Sequence, residues 1–178
     1  MKKSNVILLY GGLTAIASSI FYQVLSLSSD PNSGLRYFSY LILFLGLFVG
    51  LLQYRKANGG YLKFGQGYGA AMLMTLIISV IAVVNFFIIL KVQPDYIDKV
   101  MALAEQNMIN KGMSQDQIDI GMKYAKMFTT PAALYFFCFI GSIFGGAILG
   151  LIAAGLTTKS KPMFEEANEI PSNDTPQA

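Results

Sequence analysis

The side chains able to do chemistry are few and dispersed. The chain has no histidine and a single cysteine, Cys138, so neither a Ser–His nor a Cys–His pair can be assembled. No set of imidazole and thiolate ligands with metal-site spacing exists either. Cys138 has no partner for a disulfide within the chain and lies in an apolar run, where a thiol stays protonated and inert. The carboxylates form no pair suited to acid–base work. Gly65-Gln66-Gly67-Tyr68-Gly69 superficially resembles a phosphate-binding loop, but its spacing is not G-x-G-x-x-G and no Gly-Lys-Ser/Thr follows. No catalytic residue, cofactor site or metal site is expected, and the chain reads as a non-enzyme.

The informative feature is where charge is missing. Of 178 residues, 54% are apolar and 13% charged, against about 25% charge in a soluble domain. Four runs contain no Asp, Glu, Lys or Arg: 6–27, 37–54, 67–90 and 131–156. A bilayer core needs about 20 helical residues, and these runs reach or approach that length without the alternation of barrel strands. All 13 Lys/Arg and 10 Asp/Glu fall outside them. The low average is therefore a lipid-facing half joined to a normally charged half. The net charge of +3 is too small to point to nucleic acid.

The first run follows Met1-Lys2-Lys3, as a signal peptide would. It is longer than the apolar core of about 7–15 residues that a signal carries, and Ser26-Leu27-Ser28 is a poor cleavage site. It is expected to remain as a membrane helix. Basic residues then set the orientation. Lys2, Lys3, Arg55, Lys56, Lys63, Lys159 and Lys161 share one side, whereas the short loop opposite has only Arg36. Both termini are expected in the cytoplasm. Tyr22, Tyr37 and Tyr40 would mark one interface, and Tyr54, Tyr61, Phe64 and Tyr68 the other.

Between the third and fourth spans, residues 94–128 read as an extracytoplasmic amphipathic helical hairpin, with helices at about 94–111 and 115–128. Ile97, Met101, Ala104 and Met108 make one stripe; Ile118, Met122 and Ala125 make another. Gly112 is a natural stop, and Ser114 with Gln117 matches a capping box. Thr130 before Pro131 reads as the cap of the last span. Met101, Met108, Met113, Met122 and Met127 offer soft, adaptable contacts for a membrane or periplasmic protein partner, with Met101, Met108 and Met122 the leading candidates. Alternatively, the two stripes pack on each other and on the membrane interface. Residues 1–158 form the transmembrane domain, and 159–178 a polar cytoplasmic tail expected to be disordered, with Lys159, Lys161 and Phe164 as a lipid-contact alternative.

Within the spans, Gly46 and Gly50, and Gly141, Gly145, Gly146 and Gly150, recur at a spacing that lets helix backbones approach. Gly11, Ala15 and Ser19 do the same in the first span. The glycines at 59–69 read as a hinge letting the second and third spans pack closely; Arg55, Lys56 and Lys63 beside them are candidate contacts for a phosphate-bearing lipid. No intramembrane carboxylate exists for proton coupling, and Asn85 is the best polar candidate, most simply for an interhelical hydrogen bond.

Several features together carry a family resemblance. They are Met1-Lys2-Lys3, Tyr10-Gly11, Tyr54-Arg55, Gly60 before Phe64-Gly65-Gln66, and the glycine-rich last span ending in Lys159-Ser160-Lys161-Pro162-Met163-Phe164. Over roughly residues 4–164 the chain resembles an uncharacterised bacterial membrane family, domain of unknown function family 4199. The resemblance implies four membrane helices, a helical insert before the last, and the inner membrane of a Gram-negative cell. It implies no activity, ligand or catalytic residue. The reading is an all-α multi-pass inner-membrane protein acting as an accessory or scaffold through helix contacts. The rivals are a small oligomeric transporter or channel, with Asn85 or Gln53 lining its path, and a lipid-modifying enzyme using Asp95, Asp98 or Glu105.

Overall fold

In the computed structural model, residues 2–27 and 37–161 are described. Arg36, Ser28 and the tail beyond Lys161, with Phe164, lie outside them. Six helices follow one another: α1 (Lys3–Leu27), α2 (Tyr37–Ala57), α3 (Phe64–Val92), α4 (Tyr96–Asn110), α5 (Gln115–Phe128) and α6 (Pro131–Thr157). No strand occurs among the described residues. α1, α2, α3 and α6 are long and apolar enough to cross a membrane. Their outward faces carry Leu13, Ile16, Ile20, Val80, Val84, Phe144 and Ile148, all exposed. A surface this apolar is unfavourable in water and suited to lipid.

The four long helices form a ring in the order α1, α3, α6, α2, with the α3–α6 interface the most extensive. They alternate in direction. The start of α1, the end of α2, the start of α3 and the end of α6 therefore meet at one end, called here the terminal end. The solid core lies in that half, built from Leu47 and Leu51 of α2, Ala71 and Met74 of α3, and Ala153 and Ala154 of α6. Small residues let the backbones close. A methyl on Gly46 would collide with Thr14 of α1, and one on Gly146 with Thr75 of α3. Gly50 faces the Met74 sulfur at 2.9 Å and Gly150 the Ala71 methyl at 3.1 Å, measured from where a Cβ would stand. Such shape fit matters in lipid, where no hydrophobic drive brings helices together.

Hydroxyls in this apolar setting mostly bond back to their own helix. Thr14 donates to the Tyr10 carbonyl, Ser79 to Thr75, Ser142 to Cys138 and Thr157 to Ala153. The turn after α2 satisfies its last carbonyls in a Schellman arrangement: Gly60 N–H donates to Arg55 O at 2.9 Å and Gly59 N–H to Lys56 O. Gly59 supplies the left-handed residue this requires, at φ 77°, and Gly60 follows at φ 87°. The expected hinge differs from this in one respect. Gly67 packs against Leu62 and Ala154, so it brings α3 to α6 rather than to α2.

α4 and α5 form a helical hairpin at the other end. α4 starts at Tyr96, two residues inside the expected boundary, because Pro94 precedes the first turn instead of occupying it. It ends in a second Schellman arrangement, with Gly112 N–H donating to Ile109 O and Met113 N–H to Met108 O, and Gly112 at φ 70°. Ser114 N–H donates to the Gln117 side chain at 3.1 Å, as a capping box requires. Thr130 caps α6 by accepting from Ala133 N–H at 3.4 Å, with Pro131 in the first turn.

Candidate functional site

Three regions can carry function: the terminal-end turn, the hairpin and a cavity between the four long helices. At the terminal end, Arg55 donates from Nη1 to the Thr157 carbonyl at 3.2 Å. A cation on the last carbonyls of α6 is favourable both as a hydrogen bond and against the negative end of the helix dipole. Leu62 and Lys159 exchange backbone hydrogen bonds at 2.8 and 2.9 Å, tying the turn to the end of α6. The Lys159 ammonium lies 5.9 Å from the Tyr61 ring centre. Arg55 is thus engaged within the chain, whereas Lys56 and Lys63 are exposed.

In the hairpin, Ile97, Met101, Ala104 and Met108 of α4 face Ile118, Met122 and Ala125 of α5. Ile118 is buried and the others are half-buried. Met108 lies directly against Gly121, and the Thr129 hydroxyl is 3.3 Å from the Met101 sulfur. Met101 and Met108 therefore contribute to holding the hairpin together, and Met122 is half-buried on the same side of α5 as Ile118. A different stripe faces outward: Ile120, Tyr124 and Met127 at i, i+4 and i+7 of α5, all exposed. The same helical spacing was present in the sequence, but on the face opposite the amphipathic stripe, where apolar residues are not expected.

Asp95 and Lys99 pair at 3.3 Å at the start of the hairpin. A backbone hydrogen bond to the Asp95 carboxylate, and then Lys99 beside it, hold its pKa below the ordinary 3.8.

The cavity occupies the half of the bundle nearer the hairpin, with a volume of about 480 Å³. All four long helices line it, among them Ser18 and Tyr22 of α1, Leu43 of α2, Asn85 of α3, and Cys138 and Gly141 of α6. Gly141 and Gly145 differ from the packing expectation. A Cβ on either would meet nothing within 4 Å, and both border the open space. Gly146 and Gly150 are in tight contact, so the small-residue pattern of α6 closes the terminal half and widens the other. Asn85 accepts from Gln23 of α1 at 2.5 Å, an interhelical hydrogen bond at the cavity wall. The Ser18 hydroxyl is buried without a hydrogen-bond partner. At the rim, the Tyr22 hydroxyl lies 3.1 Å from that of Tyr96, the first residue of the hairpin. Phe86 meets the Tyr96 ring edge-on at 5.8 Å and the Tyr135 ring at 6.0 Å. Among the described residues, no group of three or more His, Cys, Asp or Glu could hold a metal ion.

No curated protein and no solved structure matches the chain. A family model described as protein of unknown function DUF4199 matches residues 9–159, and the chain belongs to that family.

Proposed function

We propose that this is a non-enzymatic, multi-pass protein of a bacterial inner membrane that serves as an accessory or scaffold, with both termini cytoplasmic and the hairpin on the opposite side. The observation that carries the reading is the outward row Ile120, Tyr124 and Met127 on a hairpin whose other apolar face is already used. Exposed apolar side chains at helical spacing on a hairpin at one end of the bundle suit contact with a helix of another membrane or periplasmic protein. The orientation is supported by basic residues at the terminal end, where Lys56, Lys63, Lys159 and Lys161 cluster around the end of α6.

Photo-crosslinking residues placed at Ile120, Tyr124 and Met127 in intact cells test this. Discrete protein adducts from these positions, and few from Met108, support the scaffold role. Adducts confined to lipid and to the chain itself contradict it. The cavity favours a second reading, a small transporter, because all four helices of one chain line it. That reading requires solute flux in vesicles containing the purified protein.

A further inference from the structure

We propose that the α3–α6 seam at the terminal end seats one anionic phospholipid, with its phosphate on Lys63 and Lys159 and an acyl chain in the groove below. Such a site requires only that the four long helices span a bilayer. It goes beyond the scaffold reading and holds whichever side the terminal end faces.

The cations mark the head-group position. Lys63 directly precedes α3, and Lys159 follows the end of α6. The paired backbone hydrogen bonds between Leu62 and Lys159 hold these two segments side by side, so both lysines stand at the head of the seam. Leu62 is fully buried and lies 3.2 Å from where a Cβ on Gly67 would stand, which anchors the junction against α3. Arg55 is engaged by the Thr157 carbonyl, whereas Lys63 and Lys159 are exposed. The Tyr61 ring beneath the Lys159 ammonium steadies that side chain. Two ammonium groups held at one place suit a phosphate, and each lysine near an anionic membrane surface adds to the attraction.

A groove on the lipid-facing surface of the same seam supplies the chain site. Its volume is about 270 Å³, and Gly69, Met72, Leu73 and Leu76 of α3 line it with Ile143 of α6. Leu73 and Leu76 are exposed, and a Cβ on Gly69 would meet nothing within 4 Å, so the upper end of the groove is open. At a rise of about 1.5 Å per residue, Gly69 and Leu76 lie roughly 8 and 18 Å along α3 from Phe64. Half of a bilayer core is about 15 Å deep. The groove therefore lies largely within the acyl-chain layer of the leaflet whose head groups meet the two lysines. Cations at head-group level above an apolar groove at chain depth match an anionic phospholipid. A soluble anion would use only the first, and a neutral lipid only the second.

The test uses the purified full chain in detergent and native mass spectrometry with phosphatidylglycerol or phosphatidylcholine of identical chains. One phosphatidylglycerol should bind about 25-fold more tightly than phosphatidylcholine, roughly fivefold for each lysine. Lys63→Gln and Lys159→Gln should each remove about fivefold of that preference and leave phosphatidylcholine unchanged. Lys2→Gln and Lys3→Gln, at the start of α1, should alter neither lipid. Gly69→Leu, at a position with room for a side chain, should weaken both lipids about fivefold by filling the groove, with helical content unchanged. Equal affinity for the two lipids, or equal losses from Lys2→Gln and Lys63→Gln, overturns the head-group site. Unaltered lipid binding by Gly69→Leu overturns the chain seat. Truncation after Lys161 should leave the affinity within about twofold, since the paired lysines remain. A larger rise would assign the lysines to Glu165, Glu166 and Glu169 of the tail and overturn the proposal. Dissociation of a dimer by Gly69→Leu would give the groove to a second copy of the chain and overturn it as well.

Discussion

Gly146 of α6 lies against Thr75 of α3 so closely that an added methyl would overlap the threonine side chain. The Thr75 hydroxyl is itself buried without a partner, so this contact is made for shape and not for hydrogen bonding. At the adjacent Gly145, and at Gly141 five residues earlier on the same helix, no atom would meet such a methyl. The contrast fixes where the bundle is closed and where it is open.

Gly146→Ala is expected to destabilise the protein by about 1–3 kcal/mol through overpacking. Gly145→Ala should be close to neutral. Thr75→Ala placed in the Gly146→Ala background should recover most of the loss, because it removes the overlapping atoms. Reversible unfolding in detergent micelles, run as a double-mutant cycle, measures each term.

Arg55→Ala should loosen the end of α6 by about 1 kcal/mol, the scale of a cation at a helix C-terminus. Protease cleavage beyond Thr157 should rise accordingly, while the hairpin end is unaffected. A lipid-contact role for Arg55 alone would instead leave cleavage unchanged and alter only lipid association.

The Gln23–Asn85 hydrogen bond spans α1 and α3 at 2.5 Å. Replacing Asn85 with Leu should cost about 0.6 kcal/mol and no more than about 1.7, the range found for interhelical hydrogen bonds in membranes. Combining it with Gln23→Leu should add little further, since one bond serves both residues. Thermal unfolding of the two single variants and the double variant checks this.

Asp95 titrates below the ordinary 3.8 because a backbone hydrogen bond and Lys99 favour its charged form. A depressed carboxylate contributes stability that is fully present above its unfolded pKa and is lost as pH falls through its folded pKa. The hairpin start should therefore be insensitive to pH near neutrality and loosen only in acid. Side-chain NMR of Asp95 should give a midpoint below 3.8 that moves up towards it in Lys99→Ala. Both side chains are exposed, so added salt should shrink the difference.

Much of the helical architecture was legible because its signals are local. An uncharged run long enough for a bilayer has few alternatives, and Gly112, the Ser114–Gln117 pair and Thr130 act within one turn of their own helices. The helix order and the cavity were not legible. Gly141 and Gly145 have the same spacing as Gly146 and Gly150, and only the identity of the facing helix separates a contact from a void. Arg55 illustrates the same limit: nothing local marks its bond to the Thr157 carbonyl, 102 positions away in sequence. The outward stripe of α5 was missed for a different reason. Met127 stood out only as one of the soft methionines; once Ile118, Met122 and Ala125 satisfied the expectation of one apolar face, a second face joining it to Ile120 and Tyr124 had no place in an amphipathic pattern.

Every functional reading depends on the hairpin standing across the membrane from the termini. Single cysteines at Gly112 and at Ser160, in a Cys138→Ala background, measure this directly with a membrane-impermeant maleimide applied to spheroplasts. The Gly112→Cys protein should be labelled in intact spheroplasts, and the Ser160→Cys protein only after lysis. Labelling of both, or of neither, before lysis would contradict it.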